Sequence, residues 1–290
     1  MHSVEARGTR FAYSEDGSGQ PVVLVHGSAS DCRTWEGQRE PLARRFRVVA
    51  YSRRWHWPNA PVAQGVDYAM DEHVEDLREL LPALGGAPAH LVGHSYGAFL
   101  CLLVALRAPH LVRSLVLAEP PALTLFVSPE PRPLELLRLA FTRPRTAAAI
   151  VRFGAKGVAP ARRAFQRGDA EAGVTAFAQG VFGGRGYERL RRSQKIQVRD
   201  NLANVQAELL GSGFLPLPAE AVRALRAPVL LVSGERSIGL FRRLTEALAE
   251  LLPHAERAVI PGAGHAMHED NPTAYNVAVV PFIAKHAAKS

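Results

Sequence analysis

The stretch His90-Leu91-Val92-Gly93-His94-Ser95-Tyr96-Gly97-Ala98-Phe99-Leu100 decides how this chain is read. It opens on a short apolar run, crosses Gly93-His94-Ser95-Tyr96-Gly97, and leaves as an apolar helical run from Gly97 to Ala108. The pentapeptide matches G-x-S-x-G, a weak match by itself that gains weight from a buried strand before it and a helix after it. The middle residue of such a turn sits in strained backbone, and flanking glycines relieve the crowding on each side. Ser95 would then stand above the carboxyl edge of the sheet, where open α/β sheets place their sites. The helix N-terminus behind it favours developing negative charge. The competing reading is a plain strand-turn-helix with a surface serine.

Outward from this turn, strand and helix patterns alternate. Val4 to Ser14 reads as a hairpin turning near Arg7-Gly8, and Val22 to Val25 as a strand buried on both faces. Trp35 to Arg45 predicts a helix, Val48 to Ala50 a strand, and Met70 to Leu84 an amphipathic helix stopped by Gly85-Gly86. Leu115 to Leu117 is the next strand. The rhythm then breaks. Prolines cluster at Pro129, Pro131 and Pro133, and helical periodicity follows in Leu134 to Phe141, Arg145 to Phe153 and around Leu190 to Leu210. Alternation resumes with strands at Val229 to Val232 and Val259-Ile260, and helices at Phe241 to Leu252 and Ala274 to His286. This pattern predicts an α/β fold with a mostly parallel wound sheet. Residues 1–120 and 214–290 form its core, and 121–213 form an inserted helical cap, too long for a plain loop.

The chain has 290 residues and a formal net charge of +8. Residues 121–213 carry 13 Arg, 2 Lys and 7 acids, so this segment holds the whole surplus. Such a segment could attract an anionic substrate or an acidic carrier, or be no more than a solvated surface. Basic residues are not interleaved with stacking aromatics, which argues against nucleic acid. Cys32 and Cys101 give neither a disulfide framework nor a metal-spaced cluster, so no metal or cofactor is expected. No apolar signal core or run of about 18 apolar residues occurs, so the expectation is a cytoplasmic protein with no membrane partner. The expected partner is a small-molecule substrate, with the chain a monomer or homodimer.

Three motifs in register carry a family likeness: His26-Gly27, Gly93 to Gly97, and Gly262-Ala263-Gly264-His265. On them the chain resembles the α/β-hydrolase superfamily over nearly its whole length. The resemblance implies Ser95 as nucleophile and His265 as general base, with His268 and His94 as weaker alternatives. It also implies an oxyanion hole from the backbone N–H groups of Tyr96 and Ser28.

Two departures stand out. Where the family usually has Gly-Glu-x-Asp, with the Asp as triad acid, this chain reads Gly234-Glu235-Arg236-Ser237. A serine cannot carry the charge. Glu119, at the carboxyl end of the preceding strand, is the favoured replacement, with Glu235 and the more distant Asp270 left as alternatives. Second, the family's D-x-R-G-x-G-x-S becomes Tyr51-Ser52-Arg53-Arg54-Trp55-His56-Trp57-Pro58-Asn59. Trp55 and Trp57, together with Phe126 of the cap, are expected to wall a substrate pocket. The implied activity is hydrolysis of an ester, lactone or thioester of a small hydrophobic molecule. Serine at position 95 disfavours dehalogenase and epoxide hydrolase chemistry, which use a carboxylate there. The alternatives are a cofactor-independent oxygenase on the same fold and a catalytically weak ligand-binding protein.

Overall fold

Side chains alternate across the strands, and this sorts the apolar residues of the strand segments onto two faces. Val23, Val25, Leu91, Leu115, Leu117, Val229 and Leu231 join one buried cluster. Their neighbours Val22, Leu24, Val92, Val116, Ala118, Leu230 and Val232 join the other. Both faces are covered by helices, which is why these strands read as unbroken apolar runs. The structure is a computed structural model describing residues 1–63, 65–184 and 186–287.

Eight strands form one sheet: β1 (His2–Ala6), β2 (Thr9–Asp16), β3 (Pro21–Val25), β4 (Arg47–Tyr51), β5 (Ala89–His94), β6 (Val112–Ala118), β7 (Val229–Gly234) and β8 (Glu256–Ile260). Their order is β1-β2-β4-β3-β5-β6-β7-β8. The β1–β2 and β2–β4 pairs are antiparallel and all others are parallel. Arg7 and Gly8, with φ of 49° and 65°, make the tight turn between β1 and β2. This is the wound α/β architecture expected from the alternation.

Three helices precede the insertion: α1 (Glu36–Ala43), α2 (Met70–Ala83) and α3 (Tyr96–Arg107). Helix α3 is buried from Tyr96 through Ala105, as its apolar composition requires. Between β6 and β7 lie α4 (Pro133–Thr142), α5 (Pro144–Phe153), α6 (Ala159–Gln166), α7 (Ala170–Phe182), α8 (Gly186–Arg189), α9 (Arg192–Asp200), α10 (Leu202–Leu210) and α11 (Ala219–Ala224). Helices α6 and α7 have no counterpart in the sequence reading. Their segment is rich in Ala and Gly, which lets the backbones approach closely: a Cβ at Gly173 of α7 would lie 2.6 Å from the Phe165 ring of α6, and one at Gly157, just before α6, would lie 2.7 Å from the Gly180 Cα. The run expected over Leu190 to Leu210 is broken at Asn201, which separates α9 from α10. Three helices follow β7: α12 (Gly239–Leu251), α13 (Met267–Asp270) and α14 (Pro272–Lys285). No helix among the described residues is long and apolar enough to cross a membrane.

Leu100 on α3 is fully buried in the first cluster. Leu100→Ala should cost about 2–5 kcal/mol of stability, read as a lowered urea midpoint with unchanged slope. A midpoint equal to that of the parent would contradict this packing.

Candidate active site

The carboxyl ends of β3, β5, β6, β7 and β8 meet above the sheet, and each delivers one part of the site. Beyond β5, Ser95 takes φ 50° and ψ −121°. Its neighbours must be glycine: a Cβ at Gly93 would lie 2.5 Å from the Ala98 Cα, and one at Gly97 would lie 2.2 Å from the Val25 carbonyl oxygen. The Ser95 N–H donates to the Ala118 carbonyl at 2.8 Å, pinning the turn to β6. Glu119, the next residue along β6, also has positive φ, 46°, and its N–H donates to the Val232 carbonyl of β7 at 3.1 Å. Two strained non-glycine residues side by side cost roughly 1–3 kcal/mol each, and the surrounding sheet holds them.

The Glu119 carboxylate is fully buried and receives three donors. The Gly234 N–H reaches Oε1 at 3.0 Å, the Ser237 hydroxyl reaches Oε2 at 2.9 Å, and His265 Nδ1 reaches Oε2 at 2.7 Å. This arrangement satisfies the ionised acid. Burial raises the Glu119 carboxyl to about 8, and the Ser237 and Gly234 donors oppose that rise. The same dry surroundings lower the His265 imidazole to about 3. Phe241 of α12 stacks on the imidazole, with centroids 3.8 Å apart and planes 17° from parallel. His265 Nε2 is buried and takes no hydrogen bond, so it is not bonded to the Ser95 hydroxyl here.

Ser95 and His265 line one cavity that leaves about 80 Å³ open to the centre of a water molecule. Its apolar wall comes from α7, through Val174, Phe177, Ala178, Val181 and Phe182, and from Val198 and Val205 of α9 and α10. Its polar end holds Thr34, Gln194, Gln197, His268 and Glu269. Among the described residues, no Lys or Arg lines it.

The family model for α/β hydrolases matches residues 22–278. The chain belongs to the α/β-hydrolase family. Among its relatives is RutD of Pantoea ananatis, whose assigned activity is carbamate hydrolysis; it is 26% identical over 278 residues, covering 94% of this chain and 92% of that one. Two solved structures share the fold. A thermophilic esterase from Thermogutta terrifontis superposes with a TM-score of 0.75 at 21% identity, covering 99% of each chain. The carboxylesterase CesB of Bacillus subtilis gives 0.69 at 20% identity, covering 98% of this chain and 91% of that one.

In this α/β hydrolase, Glu119 rather than Glu235 meets His265. Glu235 is exposed and accepts the Gly262 N–H at 2.7 Å, while Asp270 accepts the Gly264 N–H at 2.9 Å. His94 lines the cavity, but its Nε2 is spent on the His265 carbonyl at 2.9 Å. Ser28 lines the cavity and gives its hydroxyl to Glu208 of α10. The Tyr96 side chain is turned away, packed on Phe214 and under the Arg53 guanidinium.

The expected pocket walls require correction, because Trp55, Trp57 and Phe126 do not line this cavity. Trp55 packs on Tyr68 and His73, and Trp57 lies against the Arg33 guanidinium. Phe126 lies in a separate groove beside Arg143. On α4, Leu134, Leu137 and Phe141 are exposed and do not reach the cavity.

What replaces the family's glycines after β4 has a different use. The Arg53 guanidinium donates to the Gly27 carbonyl at 2.9 Å and to the Tyr68 hydroxyl at 2.8 Å. His56 bonds the Ser30 carbonyl at 2.8 Å and the same hydroxyl at 2.6 Å. These buried groups grip the loop that carries Ser28 from below. The roles of Arg53, Phe241 and Glu269 were not read from the sequence, where Ser237 figures only as a departure from the family's acid and His56 only as a residue of the altered loop.

Ser237→Ala removes a neutral donor from the Glu119 carboxylate and leaves its burial intact. The charged form loses support, so the Glu119 carboxyl should titrate at higher pH than in the parent protein. A carbon-detected NMR titration of Glu119 reads this directly, and an unchanged or lower value would contradict the assigned hydrogen bond.

Proposed function

We propose that the protein is a serine hydrolase that cleaves an ester, lactone or thioester of a small, largely apolar molecule through an acyl-enzyme on Ser95. One observation carries the reading. His265 Nδ1 is held on the buried Glu119 carboxylate, while Nε2 stays unbonded in the cavity that Ser95 also lines.

With Nδ1–H donating to Glu119, Nε2 presents its lone pair and can serve as general base. The Ser95 hydroxyl attacks the substrate carbonyl and passes its proton to Nε2. The imidazolium that forms is a cation in a dry site, and the Glu119 carboxylate 2.7 Å away balances it. The backbone N–H groups of Tyr96 and Ser28 take the oxyanion, and the N-terminus of α3 adds its dipole. His265 then protonates the leaving group. In the second half it deprotonates a water, which attacks the acyl-enzyme and releases the acid and Ser95. The apolar wall from α7 supports a hydrophobic acyl or alcohol portion. The hydrolase activities of relatives support the same class of bond.

Ser95→Ala should abolish covalent labelling by a fluorophosphonate, as read by intact-protein mass spectrometry; labelling that persists elsewhere contradicts the nucleophile. Glu119→Gln should lower kcat/KM on an activated ester by roughly 10⁴-fold, while Glu235→Gln changes it little. The reverse ranking would move the triad acid to Glu235.

A further inference from the structure

The cavity has one feature that acyl transfer does not use: a carboxylate in its wall. Glu269 lies four residues beyond His265 on α13 and is the one acid among the described residues lining the cavity. We propose that Glu269 and its neighbours form a subsite that binds a protonated nitrogen of the substrate through an N–H donor. The proposal rests on the reading of Ser95 as nucleophile and narrows it to substrates with an amine-bearing arm.

The local hydrogen bonds show what the carboxylate lacks. Gln194 Nε2 donates to Glu269 Oε2 at 2.6 Å. Thr34 Oγ1 is paired with His268 Nε2 at 2.8 Å. His268 Nδ1 is buried without a partner beside the rings of Trp35 and His94. The donor that reaches Glu269 is therefore a neutral amide. Arg191 is near enough to be felt, but its guanidinium pairs with Asp270 at 3.5 Å.

A carboxylate accepts about four hydrogen bonds, and the Gln194 amide accounts for one here. A charge in a largely apolar cavity is costly without a counter-charge, and the cavity wall supplies none. A substrate N–H⁺ supplies it as a charge-assisted bond. A substrate carboxylate or phosphate would meet Glu269 with no cation to hold it, so the same wall disfavours anions at this end.

A matched pair of esters tests this: the acetates of 3-dimethylaminopropanol, protonated at neutral pH, and of 4-methylpentanol, in which C–H replaces N–H. The wild-type enzyme should prefer the amine ester by about 10- to 100-fold in kcat/KM, carried mainly by KM. Glu269→Gln keeps the size of the side chain and should reduce that ratio by about tenfold or more. A wild-type ratio near unity overturns the proposal, as does a ratio that Glu269→Gln leaves intact. The latter is what a purely structural Gln194–Glu269 tie between α9 and α13 would give. Calorimetry on the Ser95→Ala protein with the two parent alcohols needs no turnover. Should neither ester be cleaved and Ser95 resist labelling, acyl transfer falls, and equal affinity for the two alcohols would then overturn the subsite separately.

Discussion

A carboxylate fully buried from solvent, 2.7 Å from an imidazole, is the interaction on which the rest of this structure depends. Burial alone works against it, pushing the carboxyl up and the imidazole down. The charged form is supported by fixed donors: a backbone N–H from β7 and the hydroxyl of the loop that follows. Ser237 stands where the family usually has its acid. Its hydroxyl is a neutral donor to Glu119, which lies one strand inward, at the end of β6. In the proposed triad that glutamate is the acid.

The Glu119–His265 contact constrains the fold around it. Glu119 reaches His265 only because the chain turns through positive φ at the end of β6, directly beside the positive φ of Ser95 at the end of β5. The N–H of Ser95 bonds β6 and the N–H of Glu119 bonds β7, so the parallel ladder continues through both strained residues. The register of three neighbouring strands thus sets Ser95, Glu119 and the loop of Ser237 together. The helices on both faces keep that register from slipping.

Parts of the site governed by local chemistry were legible in the sequence. Gly93, Ser95 and Gly97 are spaced by the steric needs of one turn, and Gly262 to His265 by those of one loop. The strands showed themselves through composition, since both faces are buried. Glu119 was favoured because serine cannot hold a charge and because some members of the family the chain resembles carry their acid at that strand end, with Glu235 and Asp270 still open. The donor role of Ser237 was not legible, because it exists only once Glu119 has been placed opposite it. Trp55 and Trp57 misled for a related reason. Bulky aromatics suggest a pocket wall, but Arg53 and His56 between them turn inward to hold the Gly27 and Ser30 carbonyls, and the tryptophans pack outside. The cavity wall itself comes from α7, whose Ala- and Gly-rich sequence carries no marker of contact with a distant loop.

The charge pattern divides in the same way between surface and interior. Residues 121–213 carry the chain's basic surplus, yet no Lys or Arg among the described residues reaches the cavity wall. Arg145, Arg152 and Lys156 instead line a separate cleft with Arg243 of α12. Long-range attraction and local selection are therefore assigned to different residues. A positive exterior draws anions toward the protein in general, but selection at the reacting centre follows the groups within hydrogen-bond reach. There the wall offers one carboxylate, two neutral amides, four hydroxyls and three imidazoles that burial keeps uncharged. The net charge of the chain is thus a poor guide to what its cavity binds, because the charges that dominate the sum lie outside it.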